Sequence, residues 1–281
     1  MKPTLSNLKK VIRKSYEPEP YARYFIRPIS ILFTWVFVRT SISANQVTVL
    51  QEILGVLGAI LIGLGNLKLS LIGVLFLQLG YVLDCSDGEV ARWKNQQSVK
   101  GVYLDLIGHV IVIPSYLYAF AFGIWMRTGQ IEVLVVGFIT ALFTLKLERD
   151  TMLSVVDTLI TETDNPQYDF TSLTKEIDKS DNKLEMGSAG AIGRRSFLQS
   201  FFRYPTSMNV ITIVLTIEYI FATNRIEFEY SLSYLLLMFY GIVLFFGRLW
   251  NIKTVFSKDL TKKRFLQILK IAQNINDTKS E

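Results

Sequence analysis

Apolar residues in this chain are gathered into separated runs rather than spaced along amphipathic elements. Six runs, at 47–65, 69–85, 102–126, 131–147, 208–222 and 230–247, approach the ~20 residues a helix needs to cross hydrocarbon. They predict an all-α polytopic membrane protein with six transmembrane helices. Ahead of the first run, residues 21–38 mix Arg23 and Arg27 with aromatic and aliphatic side chains, the pattern of a helix lying in the headgroup layer. From 150 to 204 the composition turns polar, and Asp164, Asn165, Pro166, Gly187, Ser188, Gly190 and Gly193 interrupt any long period, which predicts a cytoplasmic loop. The tail alternates charges with Phe265, Leu266, Ile268, Leu269 and Ile271, as an amphipathic surface helix does. The expected organisation is an arm and interfacial helix over 1–40, a six-helix membrane domain over 41–250, and a cytoplasmic tail over 251–281.

Charge placement separates this reading from a soluble bundle with very apolar helices. With spans alternating from a cytoplasmic N-terminus, the outer loops hold only Lys68, Arg127 and Arg225. The other side takes Lys9, Lys10, Arg13, Lys14, Arg194, Arg195, Lys262, Lys263 and Arg264, a positive-inside bias that a soluble protein has no reason to show. The net charge of +6 therefore points to anionic lipid headgroups, not to nucleic acid. The first twenty residues hold no apolar core of signal-peptide type, so the first span is expected to be an uncleaved anchor. The single cysteine, Cys85, excludes an internal disulfide and offers no thiolate zinc site.

Against this apolar background Asp84, Asp87 and Asp105 stand out, because ionised carboxylates at membrane depth are costly unless a cation neutralises them. Asp84 and Asp87, three apart at the end of one helix, share a face. Asp105 and His109, four apart near the start of the next, share another. A short connection over 93–100 brings both faces to the cytoplasmic interface. Two like charges at about 4 Å repel by roughly 4 kcal/mol at an effective dielectric of 20, so three carboxylates meeting there either protonate or hold cations. Oxygen donors of this kind select Mg²⁺ or Mn²⁺, ions that pair with phosphate substrates. Gly88 and Ala91 leave room for a helix or a phosphate to approach the backbone. Solvated helix ends explain any one of these acids taken alone, but not all of them with glycines interleaved. A divalent-cation transporter is disfavoured because the acids sit near one surface.

Asp84, Asp87, Gly88, Ala91, Arg92, Gly101 and Asp105 match in identity and spacing the pattern D-x-x-D-G-x-x-A-R, about eight residues, then G-x-x-x-D-x-x-x-D. The chain thereby resembles the CDP-alcohol phosphotransferases (CDP-alcohol phosphatidyltransferases), integral membrane enzymes. Upstream, SANQVT at 43–48 is similar to the family's polar motif opening the first span. The resemblance implies that an alcohol attacks a CDP-linked donor such as CDP-diacylglycerol, forming a phosphodiester in phospholipid biosynthesis and releasing CMP. It implies a two-metal Mg²⁺ or Mn²⁺ site on Asp84, Asp87 and Asp105, with donor contacts from Gly88, Ala91, Arg92 and Gly101, and from Ser98 and Asn45. It further implies a homodimer, and the chain is expected in an inner or endoplasmic membrane, a bacterial or archaeal cell membrane foremost, with the active site and both termini cytoplasmic.

The last acidic position of the pattern is His109, the only histidine in the chain. Three readings stay open: a general base, since imidazole has an ordinary pKa near about 6.5; a metal ligand that favours Mn²⁺; or the mark of a noncatalytic relative that binds CDP-lipid or a partner. The first is favoured. Glu52, just inside the first span, either reaches the metal pocket or acceptor or snorkels to the interface. Glu218 lies nearer the outer face. Arg194, Arg195 and Arg203 either bind an acceptor phosphate or flank the membrane in the ordinary way.

Overall fold

A computed structural model of the 281-residue chain describes residues 4–8, 20–144, 204–226 and 231–257. The expected loop at 150–204, apart from Tyr204, and the amphipathic part of the tail lie outside the described residues. Among those described, all regular structure is helical. A short turn, α1 (Leu5–Leu8), is followed by a π-helical turn (Ala22–Ile26) that runs into α2 (Arg27–Phe37). Then come α3 (Ala44–Gly63), α4 (Leu67–Lys94), α5 (Val99–Thr128), α6 (Glu132–Thr144), α7 (Thr206–Thr223) and α8 (Leu232–Ser257).

Five of these, α3, α4, α5, α7 and α8, are long and apolar enough to cross a membrane. The fourth expected span, 131–147, is helical over the 13 residues of α6, and its last three residues lie outside the described ones. The chain falls into two compact units, 1–145 with 194–244, and 146–193 with 245–281. In the second, the described residues are the end of α8, where the Phe245 and Phe246 rings meet edge to face.

Local chemistry sets the helix ends. Ser43 opens α3 with a reciprocal cap: its hydroxyl accepts from Gln46 N at 3.3 Å, and Gln46 Oε1 accepts from Ser43 N at 2.8 Å. Asn66 caps α4 by accepting from Lys68 N and Leu69 N. Asn95 ends α4 in the left-handed region, φ 54°, which asparagine tolerates better than most residues. Three residues later Ser98 caps α5 by accepting from Gly101 N at 3.1 Å. The α4–α5 connection is therefore as tight as expected. It is also pinned to the start of α3, where Ala44 N donates to Gln96 Oε1 at 3.0 Å.

The spanning helices are turned inside out relative to a soluble bundle. On α3, Ile53, Leu57, Ile60 and Leu64 form an exposed stripe, while Thr48, Gln51, Gly55, Gly58 and Ile62 face inward. Hydrocarbon, unlike water, leaves such a stripe without penalty. The inner faces approach closely through small residues. A Cβ at Gly58 would stand 2.7 Å from the carbonyl of Gly73 on α4, and one at Gly73 would stand 2.6 Å from the carbonyl of Gly58.

The arm ahead of the first span does form the expected helix, and it is docked by polar contacts. Fully buried Glu89 of α4 accepts from Arg27 Nη1 at 2.7 Å, Ser30 Oγ at 3.1 Å and Thr34 Oγ1 at 2.6 Å. These three donors are one helical turn apart, so α2 lays a polar stripe on α4. Tyr24, Phe25, Leu32 and Val36 are left exposed. Lys94 Nζ then donates to the carbonyls of Phe37, Thr40 and Ile42 at 3.0, 2.9 and 2.7 Å, closing the C-terminal end of α2.

Candidate functional site

Three helices build the site, and α3 sits between the other two. Toward α4, Thr48 Oγ1 donates to Asp87 Oδ2 at 2.6 Å and Gln51 Nε2 donates to Asp84 Oδ1 at 3.0 Å, the register of an antiparallel pair. Toward α5, Asn45 meets Gly101, Glu52 meets Gly108 and Gly55 meets Val112, the register of a parallel pair. A Cβ added at these glycines would stand 3.1 Å from Asn45 Oδ1, 2.5 Å from Glu52 Oε1 and 2.6 Å from Val112 Cγ1 respectively. Polar residues of α3 at helical spacing thus line the groove where the α4 and α5 acids face each other.

The structure brings Asp84, Asp105 and His109 together, with one ligand atom from each lying within 4.8 Å of the others. His109 Nδ1 stands 2.9 Å from the carbonyl oxygen of its own helix at Asp105. That oxygen can only accept, so in the neutral ring Nδ1 carries the proton and Nε2 keeps its lone pair. Nε2 faces Asp84 Oδ1 at 3.6 Å, and Asp105 Oδ1 stands 3.4 Å from Nδ1. Tyr204, just ahead of α7, presents its ring edge to face against His109 and Tyr81, with centroids 5.8 and 5.1 Å apart. Burial, and then the nearby Asp84, push the Tyr204 phenol well above its ordinary range, so it stays a neutral hydroxyl.

Asp87 stands apart from this trio, on the same face of α4 and held by Thr48. Glu52 reaches the α5 side, and its Oε1 is shielded from solvent without a hydrogen-bond donor; Gln51 Oε1 is in the same position. The donor set fits a hard divalent cation: carboxylate oxygens and one imidazole converge, and oxygen acceptors lie buried without donors.

The residues expected to meet a nucleotide lie along the adjoining rim. Arg92 folds back over Gly88, its Nη1 3.2 Å from where a Cβ would stand. Ser98 and Asn45 flank Gly101. Ala91 packs against the apolar cluster around Phe37, Ala44, Val47, Leu83 and Val90, so it serves helix packing as well as leaving space.

Of the remaining candidates, Glu218 belongs to a separate polar cluster. It accepts from Ser233 N and Oγ at 2.6 and 2.7 Å and pairs with Arg127 Nη2 at 3.4 Å, joining α5, α7 and α8 at their other ends. Arg194, Arg195 and Arg203 lie outside the described residues. Sequence reasoning did not single out Gln51 and Tyr204, and named Thr48 only as the end of the SANQVT string. Thr48 and Gln51 carry a readable signal, polar residues inside an apolar run and three apart. Tyr204 carries none, since only the fold brings it to His109.

The family model for CDP-alcohol phosphatidyltransferases matches residues 41–246, well over half of the chain. A comparison with curated proteins finds no match.

Proposed function

The chain belongs to the CDP-alcohol phosphatidyltransferase family, and from that premise we propose that it moves a phosphatidyl group from a CDP-diacylglycerol-like donor to a small alcohol. The acceptor oxygen forms the new P–O bond, the P–O bond to the cytidine monophosphate breaks, and CMP leaves with that electron pair. The hydroxyl proton goes to His109 Nε2. The observation that carries this reading is the convergence of Asp84, Asp105 and His109 on one point between α4 and α5.

Asp84, Asp87 and Asp105 would hold Mg²⁺ or Mn²⁺, which when bound supplies positive charge opposite the pyrophosphate and the leaving phosphate. The chain's own residues do the rest. The carbonyl of Asp105 fixes the tautomer that leaves Nε2 able to accept a proton. Gln51 and Thr48 hold Asp84 and Asp87 at set rotamers. Gly88 admits a phosphate close to the helix backbone, Arg92 offers a forked donor to its oxygens, and Asn45, Ser98, Ala91 and Gly101 border the nucleotide. The site opens toward the cytoplasm, both termini lie on that side, and the protein works as a homodimer in phospholipid biosynthesis.

The test is CMP release by the purified full chain from CDP-diacylglycerol with a mixture of alcohol acceptors, in Mn²⁺, in Mg²⁺ and in chelator. The expected result is metal-dependent CMP formation that falls by about 10²-fold or more in His109→Ala and is largely restored in His109→Asp. Indifference to both substitutions would remove the base from His109. A second reading, a noncatalytic CDP-lipid binder, is favoured by histidine standing at the last acidic position. CDP binding without CMP from any acceptor would establish it.

A further inference from the structure

The pattern in α4 and α5 supplies three carboxylates, Asp84, Asp87 and Asp105, where the full family pattern has a fourth at the position of His109. The structure contains another carboxylate that the pattern does not include. Glu52 enters from α3 two turns beyond Asn45, on the face that carries Asn45 and Thr48 toward the site.

Its placement depends on one glycine. Gly108, the residue before His109, has no side chain, and the Glu52 carboxylate occupies the space that one would fill: a Cβ there would stand 2.5 Å from Oε1, 2.7 Å from Cγ and 2.9 Å from the carboxyl carbon. Oε1 is shielded from solvent and has no donor. Among the described residues no Lys, Arg or hydroxyl donates to that oxygen, while the side chain as a whole is only partly buried. A buried carboxylate oxygen left without a partner is costly, and in native structures such groups point to a ligand or ion that satisfies them. Gly108 directly precedes His109 and stands three residues after Asp105, so the carboxylate packs on the stretch of α5 that carries both.

With the two divalent cations that the family resemblance implies, Asp84, Asp87 and Asp105 offer a formal charge of minus three, and Glu52 brings it to minus four.

We infer that Glu52 is the fourth carboxylate of the divalent-cation pocket, contributed by α3 through the gap at Gly108 and standing in for the acid that His109 replaces. This rests on the proposed metal-dependent transferase reading and gives it a division of labour. With the charge supplied from α3, the histidine is released to handle the proton.

The experiment measures Mn²⁺ binding to the purified full chain by electron paramagnetic resonance of free Mn²⁺, alongside CMP release. Glu52→Gln keeps shape and removes charge; Gly108→Ala keeps every charge and displaces the carboxylate. Both are expected to weaken Mn²⁺ binding about tenfold or to remove one of two bound ions, while Glu52→Asp keeps part of the binding. Folding is followed by monodispersity and thermal unfolding, and if one variant does not fold the other decides. Mn²⁺ affinity and stoichiometry unchanged within twofold in a folded Glu52→Gln or Gly108→Ala would overturn the inference, and wild-type CMP release would then leave the transferase reading standing. Glu52-dependent Mn²⁺ binding without CMP from any acceptor would support the inference and remove the transferase reading instead.

Discussion

Thr48 donates its hydroxyl to Asp87 Oδ2 at 2.6 Å across the α3–α4 interface, so an acid of the transferase signature is oriented by a residue 39 positions earlier in the chain. Hydrogen bonds to charged groups contribute about 1.5–3 kcal/mol. Thr48→Val keeps the shape and removes the donor. The Mn²⁺ concentration that half-saturates CMP release is expected to rise about tenfold, alongside a fall of a few degrees in unfolding temperature. An unchanged metal requirement would show that Asp87 needs no such support.

Gly101 lies between Ser98 Oγ and Asn45 Oδ1, and a Cβ there would stand 3.1 Å from the amide oxygen. Gly101→Ala therefore makes the Asn45 side chain give way by a few tenths of an ångström at the proposed nucleotide rim. The expected change is a several-fold higher KM for the CDP-linked donor with the metal requirement unaltered, read from initial rates at saturating Mn²⁺. A shift in metal requirement instead would place Asn45 with the cation pocket.

Fully buried Glu89 is neutralised by Arg27, with Ser30 and Thr34 completing its hydrogen bonds. Removing one partner of a buried pair costs about 3–5 kcal/mol because the other charge stays buried alone. Arg27→Met is accordingly expected to lower thermal stability strongly, and the double change Arg27→Met with Glu89→Leu to regain much of it. Unfolding of the purified proteins in one detergent measures both.

Glu218, the other buried acid in a spanning helix, is predicted to act on stability alone. Glu218→Gln weakens the tie from α7 to Arg127 and Ser233. The melting temperature should fall, while CMP released per folded molecule stays within about twofold of wild type. A selective loss of turnover would show that the far end of the bundle communicates with the metal pocket.

Much of this was legible before any coordinates. Hydrophobic run length located the spanning helices, and the D-x-x-D-G-x-x-A-R string together with Gly101 and Asp105 located the α4–α5 acids, because both signals are local. Capping chemistry at Ser43, Asn66 and Ser98 agrees with the same boundaries. What remained hidden depends on how neighbouring helices are rotated against each other. The role of Glu89 is an example: it sits inside the signature yet turns away from Asp84 and Asp87, toward a helix whose polar stripe is masked by the aromatics around it. Glu52 was ambiguous for the same reason, since reaching the pocket depends on a glycine 56 positions later. His109 could be aligned with the missing acid, but its tautomer is set by a backbone carbonyl that no motif records.

The pairing of α3 with α5 keeps its offset to within one residue along its length, from Asn45 and Gly101 through Glu52 and Gly108, and Gly55 and Val112, to Gly63 and Ala119. A bulky side chain at Gly63, deep in the hydrocarbon, is thus expected to disturb Asn45 and Glu52 together through the α3–α5 seam, without touching either of them.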